Sequence, residues 1–376
     1  MKIIEIKDIN AFQKLEEKWN SFLIRCSNND FFLSYTWLYT CIKNDPPNRS
    51  LNLLLFEEND TIVGAAPVSF TRGHLKTPAG FRLPLSLRRI HFIGDSIAPR
   101  CDILTNCSPE PVIRQMVKYL DKIKASWEIA EFRQMPEGSE NLQILENHIR
   151  NTGFDYSIID DSICPYRNFD DTKYDDITLK KYTSSKRLER LINKGLRELR
   201  EKGKVDTRIH WDFKYKEIEK DISAIENESW KKEQKQRLFS SDMYKFTTDL
   251  IRAARDSGEL FVILMYFNNE PIAYNLGFIY ANKYYSYSAA YKQEYSKYKP
   301  GYILHRETIM MMDKLKLREH DFLMGHSRYK KSFCNNVRQN KLVRVFNDHP
   351  ASRLLYGIYT GVRPLYKQLK HALKQD

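Results

Sequence analysis

The chain has 376 residues, 42% of them hydrophobic and 13% aromatic, a composition that suits two folded domains of ordinary size and excludes intrinsic disorder. Its formal net charge of +13 is unevenly spread: residues 1–170 carry 20 basic against 22 acidic side chains, and residues 171–376 carry 41 against 26. The six cysteines form no Cys-x-x-Cys pair, which leaves no disulfide framework or familiar zinc site to expect.

In chain order, apolar spacing predicts helices near residues 11–20 and 31–42, strands at 51–56 and 61–70, and a helix from Pro111 to Ala125. The polar stretch 155–176, with three Asp pairs and Pro165, is read as the boundary between a domain 1–165 and a domain 166–376. Residues 179–204 then place Lys180, Lys181, Lys186, Arg187, Arg190, Lys194, Arg197, Arg200, Lys202 and Lys204 around Leu191, Ile192, Leu196 and Leu199. This predicts an amphipathic helix whose basic face is either solvated or in contact with phosphate or nucleic acid. A strand at 205–209 and helices at 215–232 and 241–257 follow.

Three aromatic-rich runs, 260–266, 271–280 and 284–291, are separated by Asn268-Asn269-Glu270 and Ala281-Asn282-Lys283, the spacing of an antiparallel meander. Lys299-Pro300-Gly301 then opens a helix that runs to Lys316. A helix start exposes N–H groups and partial positive charge, so phosphate binds there, and Gly301 allows close approach while Lys297 and Lys299 add charge. A Pro-Gly pair alone does no more than turn the chain. The strand predicted at 321–325 returns by a helical crossover and is therefore expected to be parallel to its predecessor. A helix carrying Ser327, Arg328, Tyr329, Lys330 and Lys331 opens just beyond that strand, where open α/β sheets hold ligands; Tyr329 can equally be a core tyrosine.

The order strand, strand, strand, turn, helix, strand, helix is that of the GNAT acyltransferases. Residues 298–304 (Tyr-Lys-Pro-Gly-Tyr-Ile-Leu) and 321–330 (Asp-Phe-Leu-Met-Gly-His-Ser-Arg-Tyr-Lys) resemble more closely the CelD-like (BioF-like) acetyltransferase family, related to the FemABX aminoacyl transferases. Residues 31–38 (Phe-Phe-Leu-Ser-Tyr-Thr-Trp-Leu) and 62–67 (Ile-Val-Gly-Ala-Ala-Pro) are similar to N-terminal segments of that family. The turn before Gly301 is poorer in Gly than the usual GNAT phosphate loop, and His326 stands near a position that is commonly acidic in relatives.

The resemblance implies an α/β (α+β) fold of tandem GNAT-like domains, each a mixed, mainly antiparallel sheet flanked by helices. It also implies transfer of an acyl group from acetyl-CoA or another acyl-CoA to an amine or hydroxyl of a sugar or cell-envelope precursor, as in polysaccharide biosynthesis. On that reading the strand 284–291, with Tyr287, Ser288 and Ala289, offers backbone N–H groups to the thioester or pantetheine, and Lys297, Lys299, Gly301, Tyr302 and Lys330 hold the donor. Tyr329 would protonate the leaving thiolate. The base is left among Tyr287, Tyr291, His326 and water, with His326 preferred because imidazole titrates near neutrality. Trp230 with Lys231 and Lys232, and Tyr274, Asn275 and Tyr291, would line the acceptor cleft, although core packing explains Trp230 and Tyr274 at least as well.

An acyl-carrier protein or aminoacyl-tRNA are the other donors the basic half could serve, and an assembly protein that binds nucleic acid or membrane is the non-enzymatic reading. No metal is expected. Without a spanning run or a signal-like N-terminus, a cytoplasmic location is expected. The tail 354–373 is read as a docking helix on the second domain, with contact to an anionic membrane surface as its alternative.

Overall fold

A computed structural model describes residues 1–76, 82–170, 185–210, 214–234 and 236–362. The chain forms two compact units, Met1–Ser162 with Gln339–Asp376, and Ile163–Arg338. Both are α/β, with helices flanking mainly antiparallel sheets, as the sequence predicts.

Unit 1 runs through β1 (Lys2–Ile6), α1 (Ile9–Gln13), α2 (Glu16–Leu23), α3 (Tyr35–Lys43), β2 (Arg49–Leu51), β3 (Leu53–Glu58), β4 (Thr61–Ala66), β5 (Val68–Lys76), β6 (Arg82–Phe92), β7 (Leu104–Thr105), α4 (Pro109–Lys122), β8 (Ile129–Pro136) and α5 (Glu140–Arg150), to the first part of β9 (Asp155–Asn168). The expected helix 11–20 is two short helices, and the expected strand 61–70 is two strands separated by Pro67, which lacks the N–H that a continuous ladder needs. Ser34 caps α3 by accepting from Trp37 N at 3.2 Å, and Trp37 is fully buried against Phe31 and Phe32. The strands of unit 1 form an antiparallel sheet β1-β3-β4-β7 and a mixed sheet.

Unit 2 takes the end of β9, then α6 (Lys186–Arg200), β10 (Val205–His210), α7 (Tyr215–Asn227), α8 (Trp230–Glu233), α9 (Tyr244–Asp256), β11 (Leu260–Phe267), β12 (Glu270–Tyr280), β13 (Lys283–Tyr291), α10 (Pro300–Lys314), β14 (Glu319–Asp321) and α11 (Arg328–Lys331). Its strand order is β10-β11-β12-β13-β14-β9. The meander is present, and both of its turns carry the paired positive φ values of tight hairpins: Asn268 and Asn269 at 48° and 68°, Ala281 and Asn282 at 45° and 61°. β13 and β14 are parallel, as the crossover requires.

The domain boundary and the tail differ from expectation. Residues 155–168 of the expected polar boundary are a 14-residue strand, and the passage between units falls inside it, after Ser162; residues 171–176 lie outside the described set. The segment after Arg338 belongs to unit 1 rather than docking on the second half. Its strand β15 (Asn336–Phe346) pairs antiparallel with β8, and α12 (Pro350–Gly357) buries Leu355 against Leu87, Ile129 and Phe346. The expected tail beyond Val362 lies outside the described residues.

Candidate active site

The site grows from a break in the unit 2 sheet. β13 and β14 are in register only from Lys283↔Glu319 to Tyr285↔Asp321. β14 then diverges because the chain after it bonds to the other neighbour: Phe322 N donates to Pro165 O and Gly325 N to Ile163 O, each at 3.0 Å. Leu323 (φ 58°) and Gly325 (φ 108°) supply the left-handed backbone that this change of direction needs. The strand itself is Glu319-His320-Asp321, not the apolar 321–325. Its two carboxylates are buried, and Arg338 reaches both, Glu319 at 2.8 Å and Asp321 at 3.0 Å.

On its other side β13 bulges against β12 between Leu276 and Phe278. Gly277 is required there, because a Cβ would stand 2.2 Å from Tyr285 O. The strand segment 286–291 is thus a bent edge without β14 pairing, a surface of peptide groups on which a ligand can lie.

The N-terminus of α10 faces this strand. Lys299 is the N-cap at φ 59° and Pro300 is N1. Among the described residues no side chain caps the helix or accepts from the Gly301 N–H, while the N–H groups of Tyr302 and Ile303 both donate to Lys299 O. A Cβ on Gly301 would meet the Tyr291 ring at 3.0 Å, so the glycine and Tyr291 lie in contact. Lys297 and Lys299 are exposed, and Lys297 and Lys202 sit over the Tyr298 ring at 5.0 and 5.7 Å. Tyr302 packs on Phe333.

Beneath the turn, α10 carries His305, buried and stacked on Tyr329 at 4.8 Å with an interplanar angle of 22°. Asn275 Nδ2 lies 3.3 Å from His305 Nδ1 and donates to Thr308 Oγ1 at 2.9 Å, tying β12 to α10. Burial lowers the His305 imidazole to about 3 and raises the Tyr329 phenol to about 12, so both rings are neutral at pH 7. Lys330 is buried, its ammonium donating to Met324 O at 2.5 Å and Leu323 O at 3.3 Å, and burial lowers it to about 8.

His320 is fully buried between Tyr284 and Phe322, with neither ring nitrogen bonded among the described residues, and burial holds its pKa well below the ordinary range. His305 and His320 are therefore neutral in the fold but take up a proton in the unfolded chain as pH falls through about 6.5, so their contribution to stability is present above that pH and lost below it. Stability of wild type is expected to fall by about 1 kcal/mol per pH unit between pH 6 and 4.5 through His305, with His320 acting in the same direction. Urea unfolding of His320→Phe, an aromatic that suits the same stack, should show a correspondingly shallower decline, and an unchanged slope would exclude His320 as a source.

On the opposite face of the meander is a buried polar network. Lys231 Nζ donates to Glu226 Oε1 at 3.0 Å, to Tyr274 OH at 2.8 Å and to Ser288 Oγ in a shorter contact. Tyr274 OH donates to Glu226 Oε1 at 2.5 Å and lies 2.8 Å from Ser288 Oγ, while Glu226 Oε2 accepts from Leu238 N at 2.8 Å. Burial pulls the Lys231 pKa down, and burial with Glu226 nearby pushes the Tyr274 phenol well up. Trp230 is half-buried, 6.0 Å from the Lys231 ammonium. Lys232 is exposed.

Of the residues expected from sequence, the structure groups Tyr291 with Gly301, Asn275 and Tyr329 with His305, and Ser288 with Tyr274 and Lys231. Tyr287 packs on Phe278 and Ala289 is half-buried on β13. His326 stands apart, exposed in the loop before α11; the helix begins only at Arg328 and is a single turn. Glu226 and His305 had gone unassigned, since each looks like one more polar residue on an amphipathic helix.

Residues 186–331 match the family model described as an acetyltransferase (GNAT) domain. Similar solved structures are FemX, with a TM-score of 0.55, 13% identity and 90% of this chain against 97% of that one; a conserved protein of unknown function from Bacteroides thetaiotaomicron, 0.55, 9%, 91% and 100%; and L-PGS from Bacillus licheniformis, 0.52, 12%, 94% and 96%. At these identities the likeness is one of fold. A search of curated proteins found no match.

Proposed function

Taking a GNAT-type acyltransferase domain over residues 186–331 as the premise, we propose that this protein transfers an acyl group from a thioester, acyl-CoA in the first instance, to an amine or hydroxyl of a sugar or cell-envelope precursor. The observation that carries this reading is the open edge of β13 beyond Tyr285, set against the uncapped start of α10. In it, pantetheine lies along 286–291 with its carbonyls and amides bonded to the strand, and pyrophosphate takes the Gly301 N–H with Lys297 and Lys299 beside it. Tyr329, protonated at neutral pH, donates to the departing thiolate, and the buried Lys330 ammonium adds positive charge nearby.

Isothermal titration with desulfo-CoA tests this. Wild type is expected to bind, and Gly301→Trp, which fills the space before Tyr291, to lose at least about tenfold in affinity at unchanged secondary structure. No binding by folded wild type would reject the acyl-CoA reading.

A second reading, with aminoacyl-tRNA as donor, is favoured by α6 alone. Lys186, Arg187, Arg190 and Lys194 are exposed on it, and its Gly195 lies against the Tyr298 turn. That reading requires RNA affinity falling steeply with salt.

A further inference from the structure

The hydrogen-bond count in the Lys231 network fixes the direction of its protons. Lys231 spends its three ammonium hydrogens on Glu226, Tyr274 and Ser288. The single hydrogen of Tyr274 goes to Glu226 Oε1. The 2.8 Å contact between Tyr274 and Ser288 must then be donated by Ser288. Ser288 Oγ has two lone pairs, one taken by Lys231, and the other has no partner among the described residues. Ser288 is half-buried on the open segment of β13, whereas Tyr274, Lys231 and Glu226 are each more than nine-tenths buried. The network therefore ends at the strand on an oxygen able to accept one further hydrogen, and ends in the interior on a carboxylate.

From this we infer that Ser288, Tyr274 and Glu226 are the relay that removes the proton from the acceptor, with Lys231 holding the three oxygens in line. The inference rests on the acyl-transfer reading above and supplies the base which that reading lacks. As the acceptor's nitrogen or oxygen bonds to the thioester carbon, its proton passes to Ser288 Oγ, the Ser288 proton to Tyr274 and the Tyr274 proton to Glu226. The carbon–sulfur bond breaks with its electron pair on sulfur, and the thiolate is protonated by Tyr329 or solvent. Reversal of the relay returns the proton from Glu226 to water after product leaves. Ser288 is the group that touches the acceptor; Tyr274 and Glu226 act through it.

Thiol release from acetyl-CoA tests the relay with two acceptors, water, which needs a base, and neutral hydroxylamine, which attacks without losing a proton first. Tyr274→Phe is expected to bind desulfo-CoA like wild type, and both Tyr274→Phe and Ser288→Ala to lose about 100-fold in hydrolysis, with hydroxylaminolysis reduced only a few-fold; Ser288→Thr, which keeps the hydroxyl, should restore hydrolysis. Equal losses with both acceptors, no loss in Tyr274→Phe, or wild type that binds desulfo-CoA yet releases no thiol would each overturn the relay while leaving the donor site standing. Failure of wild type to bind desulfo-CoA would remove the acyl-CoA reading, and the relay with it.

Discussion

Arg306→Ala is expected to destabilise unit 2 by about 3–5 kcal/mol, the cost of leaving a buried carboxylate without its counter-ion. Arg306, on α10, donates to Glu189 Oε1 at 2.7 Å and to Asn193 Oδ1 at 2.6 Å, both on α6, and Arg306 and Glu189 are buried. The bonding is incomplete: Arg306 Nε and Glu189 Oε2 have no partner among the described residues. A pair that is desolvated and only partly satisfied adds little net stability as a pair, although losing one member is costly. Replacing both, Arg306→Met with Glu189→Met, should therefore cost much less than Arg306→Ala. Urea unfolding of the two variants separates these cases, and equal losses would mean that the clamp is stabilising in its own right.

Gly195→Val should act on the same contact through geometry. A Cβ at Gly195 would lie 2.1 Å from the Tyr298 carbonyl oxygen and 2.8 Å from its carbon, and neither backbone atom can yield without moving the turn that sets Lys299 and Gly301. The variant is expected to lose about 2–3 kcal/mol and, because α10 shifts relative to β13, at least about tenfold in desulfo-CoA affinity. Gly73→Val, where a Cβ meets nothing within 4 Å among the described residues, is the control. Full affinity in folded Gly195→Val would detach the turn from the proposed donor site.

Much of unit 2 was legible because its local signals are strong. Asn268-Asn269 and Ala281-Asn282 are turn residues between aromatic runs, and Lys299-Pro300-Gly301 announces a helix start. What escaped was decided by distant partners. The strand β14 is Glu-His-Asp, a triplet that no strand preference selects; it is buried because Arg338 neutralises its acids and Tyr284 and Phe322 enclose its imidazole. Asp-rich β9 reads as a domain boundary for the same reason: the bonds that make it a strand are to residues far along the chain, such as those from Tyr166 to Asn168 with β14.

The candidate site was legible in outline and not in its chemistry. The places of the turn and of Tyr329 follow from the order of elements; the open edge does not, because it depends on where β14 parts from β13. Glu226, Lys231, Tyr274 and Ser288 lie on four different elements or their ends, with no spacing that marks them as a set. His326 drew attention because imidazole titrates near neutrality, but the histidine packed against Tyr329 is His305, and burial has taken it out of that range.

In the proposed function the donor lies along the open edge of β13 and ends at the start of α10. Amide hydrogen exchange with and without acetyl-CoA, read by mass spectrometry on peptides covering the whole chain, tests this most directly. Slower exchange concentrated in 286–291 and 299–303 is the predicted result. Protection confined to peptides of unit 1, or bound acetyl-CoA that leaves 286–291 unchanged, would contradict it.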